Sequence, residues 1–200
     1  MSQVHIRDYE RISGKLKILF KLDKSPVAVK LYKSENDVKK ILPKFEDKAK
    51  HCQLTYISAQ NKKSFYATVN EVDCKSGAGS LGLLDVPNLK VPKAEPINEA
   101  VAYAPLENAT FEPDVVILYC NVMQAFDFIT LYRRSTGKRL QPDLAGTQAL
   151  CSESVIIPKE TKKPNISFGC PGSRAFSDLK EDELIISLTV DDAEIISNFA

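Results

Sequence analysis

The run PVAVKLY (26–32) returns as PDVVILY (113–119), with Pro, Val, Leu and Tyr at the same places. Each run is rich in β-branched residues and opens on a proline, whose missing N–H is tolerated at the first position of a strand. Both read as buried strands, and the segments after each are alike. After the first come a helix capped at Ser34 with Asp37 three residues on, a helical stretch KHCQLTYISA, a Lys-Lys turn, a strand in SFYATVNEVD and the turn CKSGAG. After the second come a helix capped at Asn121 with Gln124 three residues on, a stop at Gly137, a helical stretch QALCSESVII, a Lys-Lys turn, a strand in PNISF and the turn CPGSR. Lys62 lies ten residues after Cys52, and Lys162 lies eleven after Cys151. A chain ordered this way is constrained to an α/β or α+β fold made of two similar βα-rich halves, a degenerate internal repeat packed as one compact unit.

The halves span about 24–84 and 112–176 of a single domain covering 1–200. A helix over 7–22 precedes them, with Ile12, Leu16, Leu19 and Phe20 at helical spacing. Between them, 85–99 reads as a Pro-rich linker, with a short strand near AVAYA after it. A C-terminal strand, ELIISLTV, and a helix opening on Asp191 and Asp192 fill 183–199.

The function classes open to the chain are narrowed by charge. The formal net charge is +1, which argues against a general nucleic-acid binder. Apolar runs such as VVILYC fall far short of the ~20 residues of a membrane helix. The polar start MSQVHIRDYERISGK is no signal peptide. The expected location is cytoplasmic, with neither nucleic acid nor membrane as partner. In a reducing compartment the five cysteines are not a disulfide framework, which leaves metal binding, thiol chemistry or packing.

EVDCKSGAGSLG contains G-x-G-x-x-G at Gly77, Gly79 and Gly82. A dinucleotide site needs an acidic residue ending a second parallel strand ~20 residues on. That window holds only Glu95 among prolines, and the companion turn GCPGSR lacks the pattern. A broader reading survives: turns opening helices expose N–H groups that hold an anion, involving Gly77, Gly79, Gly172 and Ser173. Arg174 would add a bidentate clamp, or else satisfy turn carbonyls. Tyr32 and Tyr119 end equivalent strands and are candidate rim residues of a ligand site, or else core tyrosines. Glu181, Asp182 and Glu183 read as a solvated charge run.

Cys52 and Cys151 lie on equivalent helices, Cys74 and Cys170 at equivalent strand ends. Packed about a pseudo-two-fold, the four would converge on zinc or an iron–sulfur cluster. The absence of any C-x-x-C pair weighs against this, and plain packing is the alternative. Cys170, before Pro-Gly, is the candidate nucleophile, because a helix N-terminus lowers a thiol pKa. Cys120 reads as core. His5 is terminal, and His51 points about 100° away from Cys52, which disfavours a Cys–His pair.

The stretches HCQ…DCKSGAGSLGL, APLENATFEPDVVILYCNVMQA, ALCSESVIIP and PNISFGCPGSR…LKEDEL resemble the ArCR family, domain of unknown function 169, over about residues 10–198. The resemblance implies one compact α+β unit and no established activity, substrate or catalytic residue. It also implies cysteines at the positions of Cys52, Cys74, Cys151 and Cys170, and a helical segment between the halves where this chain has prolines. Three functions stay open: a protein binding a small anionic ligand, metal or iron–sulfur cluster through paired Cys-Gly turns; a thiol-dependent enzyme acting on a small activated substrate; and a scaffold or regulatory module with structural cysteines.

Overall fold

A computed structural model describes residues 7–95, 97–147 and 149–199. Six strands, β1 (Val27–Tyr32), β2 (Phe65–Thr68), β3 (Ala100–Pro105), β4 (Val115–Asn121), β5 (Asn165–Ser167) and β6 (Glu183–Leu188), form one sheet in the order β2-β3-β1-β4-β6-β5. All five pairings between these strands are antiparallel. Exchanging β1 with β4, β2 with β5 and β3 with β6 leaves that order unchanged.

Both faces are covered, so the strands read as continuous apolar runs rather than alternating ones. Period-two geometry still sorts their side chains. Ala28, Ala102, Val116, Leu118 and Ile186 pack in one core with α1 (Tyr9–Phe20), α2 (Glu35–Val38), α5 (Val122–Thr136) and α8 (Val190–Asn198). Val29, Val101, Tyr103, Ile117 and Ile185 pack in the other with α3 (His51–Asn61), α4 (Lys75–Ser80) and a π-helix, Ala149–Ile156. The π-helix runs on into α6 (Ile157–Thr161), and α7 (Pro171–Phe176) packs against α3.

Local signals act as the sequence predicts. Asn121 and Gln124 close a reciprocal capping box on α5, and Gly137 ends it at φ 72°. Both Lys-Lys turns place their first lysine in the left-handed region, Lys62 at φ 53° and Lys162 at φ 55°. At Ser34 the expected box with Asp37 does not form; the hydroxyl accepts from Asn36 N–H instead.

Three expectations change. The strand expected near AVAYA forms, but as an internal strand of the sheet rather than part of a linker: it is β3, buried throughout and paired with both β1 and β2. The Pro-rich segment before it is anchored, with Ala94 N–H donating to Ser80 O, Asn98 N–H to Gly82 O, and Ser152 Oγ to Pro92 O. The match of PVAVKLY to PDVVILY is not a structural correspondence, because matched residues face opposite cores. Val29 lies in the α3 core and its counterpart Val116 in the α1 core. A one-residue slip between strands has this effect.

Candidate functional site

Between α3, α4, the π-helix and α7 lies a pocket of about 330 Å³ lined by Cys52, Cys74, Cys151 and Cys170. Both Cys-Gly turns open onto it through Gly77, Gly172 and Ser173. Cys74 is the N-cap of α4, its sulfur accepting the N–H of Gly77 at 3.4 Å. Cys170 is the N-cap of α7, its sulfur accepting the N–H of Ser173 at 3.4 Å, while Ser173 Oγ accepts from Cys170 N–H at 2.8 Å. An extended residue that caps a helix turns its side chain back over the first turn. That geometry puts both sulfurs at the rim, where they are half-buried.

Cys52 and Cys151 form the floor. Burial pushes the Cys52 thiol up to about 11, and charge on Cys170 and Cys74 adds to the shift. Burial pushes Cys151 up to about 12, opposed by a hydrogen bond with the Ser80 side chain and reinforced by Cys74 and Cys170. Both floor thiols are protonated at neutral pH, and each senses both rim cysteines, one from either half. A Cβ on Gly77 would sit 3.3 Å from Cys74 Sγ and 3.9 Å from Cys151 Sγ. The missing side chain therefore keeps open the space between sulfurs of different halves.

His51 ties the site together. Its Nε2 lies 3.1 Å from the Leu150 carbonyl on the π-helix and its Nδ1 lies 2.8 Å from the Tyr103 hydroxyl on β3. A carbonyl only accepts, so Nε2 carries the proton and Nδ1 accepts from Tyr103. Burial lowers the His51 pKa to about 4, which keeps the ring neutral. The π-helix is an uncommon form whose i→i+5 pattern is found often at functional sites. Here it presents Leu150 and Cys151 to the pocket. At the mouth, Lys50 Nζ stands 4.4 Å from the Phe176 ring centroid and donates to Asp73 O at 3.4 Å.

Other candidate residues lie elsewhere. Gly79 gives room to the Pro-rich segment: a Cβ there would meet Val86 Cγ2 at 2.6 Å. Arg174 donates to the carbonyls of Phe168, Lys180 and Glu183, and so braces the turn rather than lining the pocket. Tyr32 and Tyr119 do not share an edge, because β1 and β4 run antiparallel. Tyr32 packs on Phe111 at 6.5 Å, while Tyr119 is buried on the other face and donates to Thr55 Oγ1 at 3.0 Å. Cys120 lies in the opposite core. Glu183 is not solvated: it is buried and ion-paired with buried Lys24. His5 lies outside the described residues.

Sequence reasoning missed Lys50, Leu150 and the role of His51. The signal for His51 is its place between Lys50 and Cys52 at the start of a largely buried helix. Its partner Tyr103 sits in AVAYA, 52 residues along the chain, and nothing local to either residue joins them. Among the described residues, no group of three or more His, Cys, Asp or Glu side chains is placed to hold a metal ion. No helix among them is long and apolar enough to cross a membrane.

The four-cysteine pocket accompanies family matches over 15–92 and 87–198, two stretches that meet in the Pro-rich segment. The chain belongs to the uncharacterised ArCR family, domain of unknown function 169. It is also 30% identical over 207 positions to an uncharacterized protein of Methanocaldococcus jannaschii, covering 91% of this chain and 89% of that one. No solved structure matches.

Proposed function

We propose that this ArCR chain binds a small, sulfur-seeking ligand in the four-cysteine pocket. The observation that carries the reading is that Cys52, Cys74, Cys151 and Cys170, two from each half, line one pocket. An anion is the weaker occupant. The N–H groups of Gly77 and Ser173 already serve sulfur, and Arg174 is committed to carbonyls. Thiols instead suit soft metal centres. The palindromic strand order and the matched N-cap cysteines support reading the two βα units as a degenerate duplication that placed its paired turns around a shared site.

Cadmium ion is a suitable probe. It can take two thiolates with water completing its shell, and is expected to bind with a thiolate charge-transfer absorbance and to protect Cys74 and Cys170 from iodoacetamide, read by peptide mass spectrometry. Absence of both the absorbance and the protection would sink the reading.

A second reading makes Cys170 the nucleophile of a thiol-dependent enzyme. Its rim position, beside protonated floor thiols, favours it. Limiting iodoacetamide then labels Cys170 ahead of Cys74; equal labelling of the two rim thiols excludes the assignment.

A further inference from the structure

Resting on the soft-ligand reading, we infer that the pocket holds a cubane iron–sulfur cluster, with one iron bound by each of Cys52, Cys74, Cys151 and Cys170. A closed mononuclear site needs three or four protein ligands around one ion, and no such group is placed among the described residues. A cluster asks for something different: four sulfurs spread around a central volume, one per corner. The four thiols, two buried and two half-buried, line one cavity of about 330 Å³, with room for more than one ion. Gly77 leaves a gap between Cys74 and Cys151 that any larger residue would fill.

The surroundings suit the charge such a cluster carries. A [4Fe–4S] core with four thiolates is a net anion, and hydrogen bonds to its sulfurs tune it. Gly77 and Ser173 each already donate an N–H to a candidate ligand sulfur. Lys50 is a cation at the mouth, and among the described residues no carboxylate lines the pocket. His51, with both ring nitrogens engaged, holds the floor rather than competing as a ligand. On loading, each thiol gives its proton to solvent and forms one S–Fe bond. Ferric iron, sulfide and a thiol reductant in the mixture supply the metal, the bridging sulfur and the two electrons that four ferric ions need to reach the resting core, so no protein group is oxidised or reduced.

The test is anaerobic reconstitution of the full chain with iron, sulfide and a thiol reductant. The expected product is brown, absorbs near ~400 nm and holds about four irons and four acid-labile sulfides per chain. The Cys74→Ser/Cys170→Ser variant keeps both helix caps, since serine is a strong N-cap residue, and is expected to fold but lose the band. Gly77→Ala leaves all four thiols in place and is expected to lose it too. Iron bound without sulfide, or a double variant that loads as wild type does, overturns the cluster. Cadmium binding without cluster formation overturns this inference and leaves the soft-ligand reading standing; failure of both probes removes both.

Discussion

Lys24 and Glu183 form an ion pair whose worth is set by burial. The two residues are only 6% and 8% exposed. Glu183 bonds Lys24 through Oε1 and accepts the Lys180 N–H at 3.1 Å through Oε2. The ammonium also stands 5.2 Å from the Tyr56 ring centroid and 6.0 Å from that of Tyr119. Lys24→Met keeps most of the packing but leaves a buried carboxylate with one donor. Breaking a buried pair from one side costs about 3–5 kcal/mol, whereas an exposed pair is worth about 0–1 kcal/mol. The expected loss is in the first range, measured by urea unfolding at pH 8. Lys24→Met/Glu183→Leu removes both charges and is expected to fall within about 1–2 kcal/mol of wild type, giving a large coupling in the double-mutant cycle. Burial alone would lower the Lys24 pKa, but the Glu183 hydrogen bond and charge outweigh it and leave it raised. The pair's contribution is therefore complete below the unfolded lysine value and is lost as pH rises through the higher folded one. A Lys24→Met loss under about 1 kcal/mol, or a coupling near zero, would refute the burial argument.

Other perturbations separate causes of similar appearance. Gly82 and Gly137 both have φ 72°, but a Cβ would lie 2.4 Å from Glu95 O at the first and 4.0 Å from Arg133 Nη1 at the second. Gly137→Ala is expected to cost about 1–2 kcal/mol for the left-handed backbone and Gly82→Ala clearly more; equal shifts in thermal unfolding would count against the clash. His51→Phe orphans the Tyr103 hydroxyl and the Leu150 carbonyl, at about 2–4 kcal/mol, with faster amide exchange in the π-helix; unchanged exchange there contradicts the bridge. With Cys52 and Cys151 pushed up to about 11 and 12, their alkylation should rise about tenfold per pH unit from pH 8 to 10. Labelling of those two that levels off soon after about pH 9 would give them the behaviour of a thiol in water. For Glu107, burial raises the pKa, but hydrogen bonds from Ser25 and Ser13 outweigh it and leave it lowered. Its contribution is present above the unfolded carboxylate value and is lost as pH falls, so Glu107→Gln should flatten the acid limb of stability between about pH 5 and 3. An unchanged acid limb removes Glu107 from the account.

Local chemistry was legible in the sequence. The Asn121–Gln124 box, the Gly137 stop and the two Lys-Lys turns each need only a few neighbouring residues to be satisfied. Strand partners and directions depend on the whole chain. Nothing within AVAYA says that it pairs with both β1 and β2, and nothing within PDVVILY says that it runs against PVAVKLY. Glu183 escaped for the same reason: it sits in an acidic run, and only Lys24, at the other end of the chain, explains its burial.

The likeness of the two halves can be read in two ways, and the central β1–β4 pair separates them. Read by residue identity, it joins Tyr32 to Tyr119. An antiparallel pair with Val27 opposite Ile117 sends those two ends apart and, with the one-residue slip, to opposite faces. Read by order of elements, it joins α3 to the π-helix and α4 to α7. Antiparallel neighbours are related by a two-fold along the sheet normal, and such an axis keeps equivalent elements on one face. The cysteines ride on those elements rather than on the strands, so all four reach one pocket although the strand residues that match by name do not meet. Element order is fixed by caps and turns, whereas the register of short apolar strands is held only by the core they pack into. In a chain of this kind, a side chain that caps a helix is therefore a firmer guide to the site than one that ends a strand.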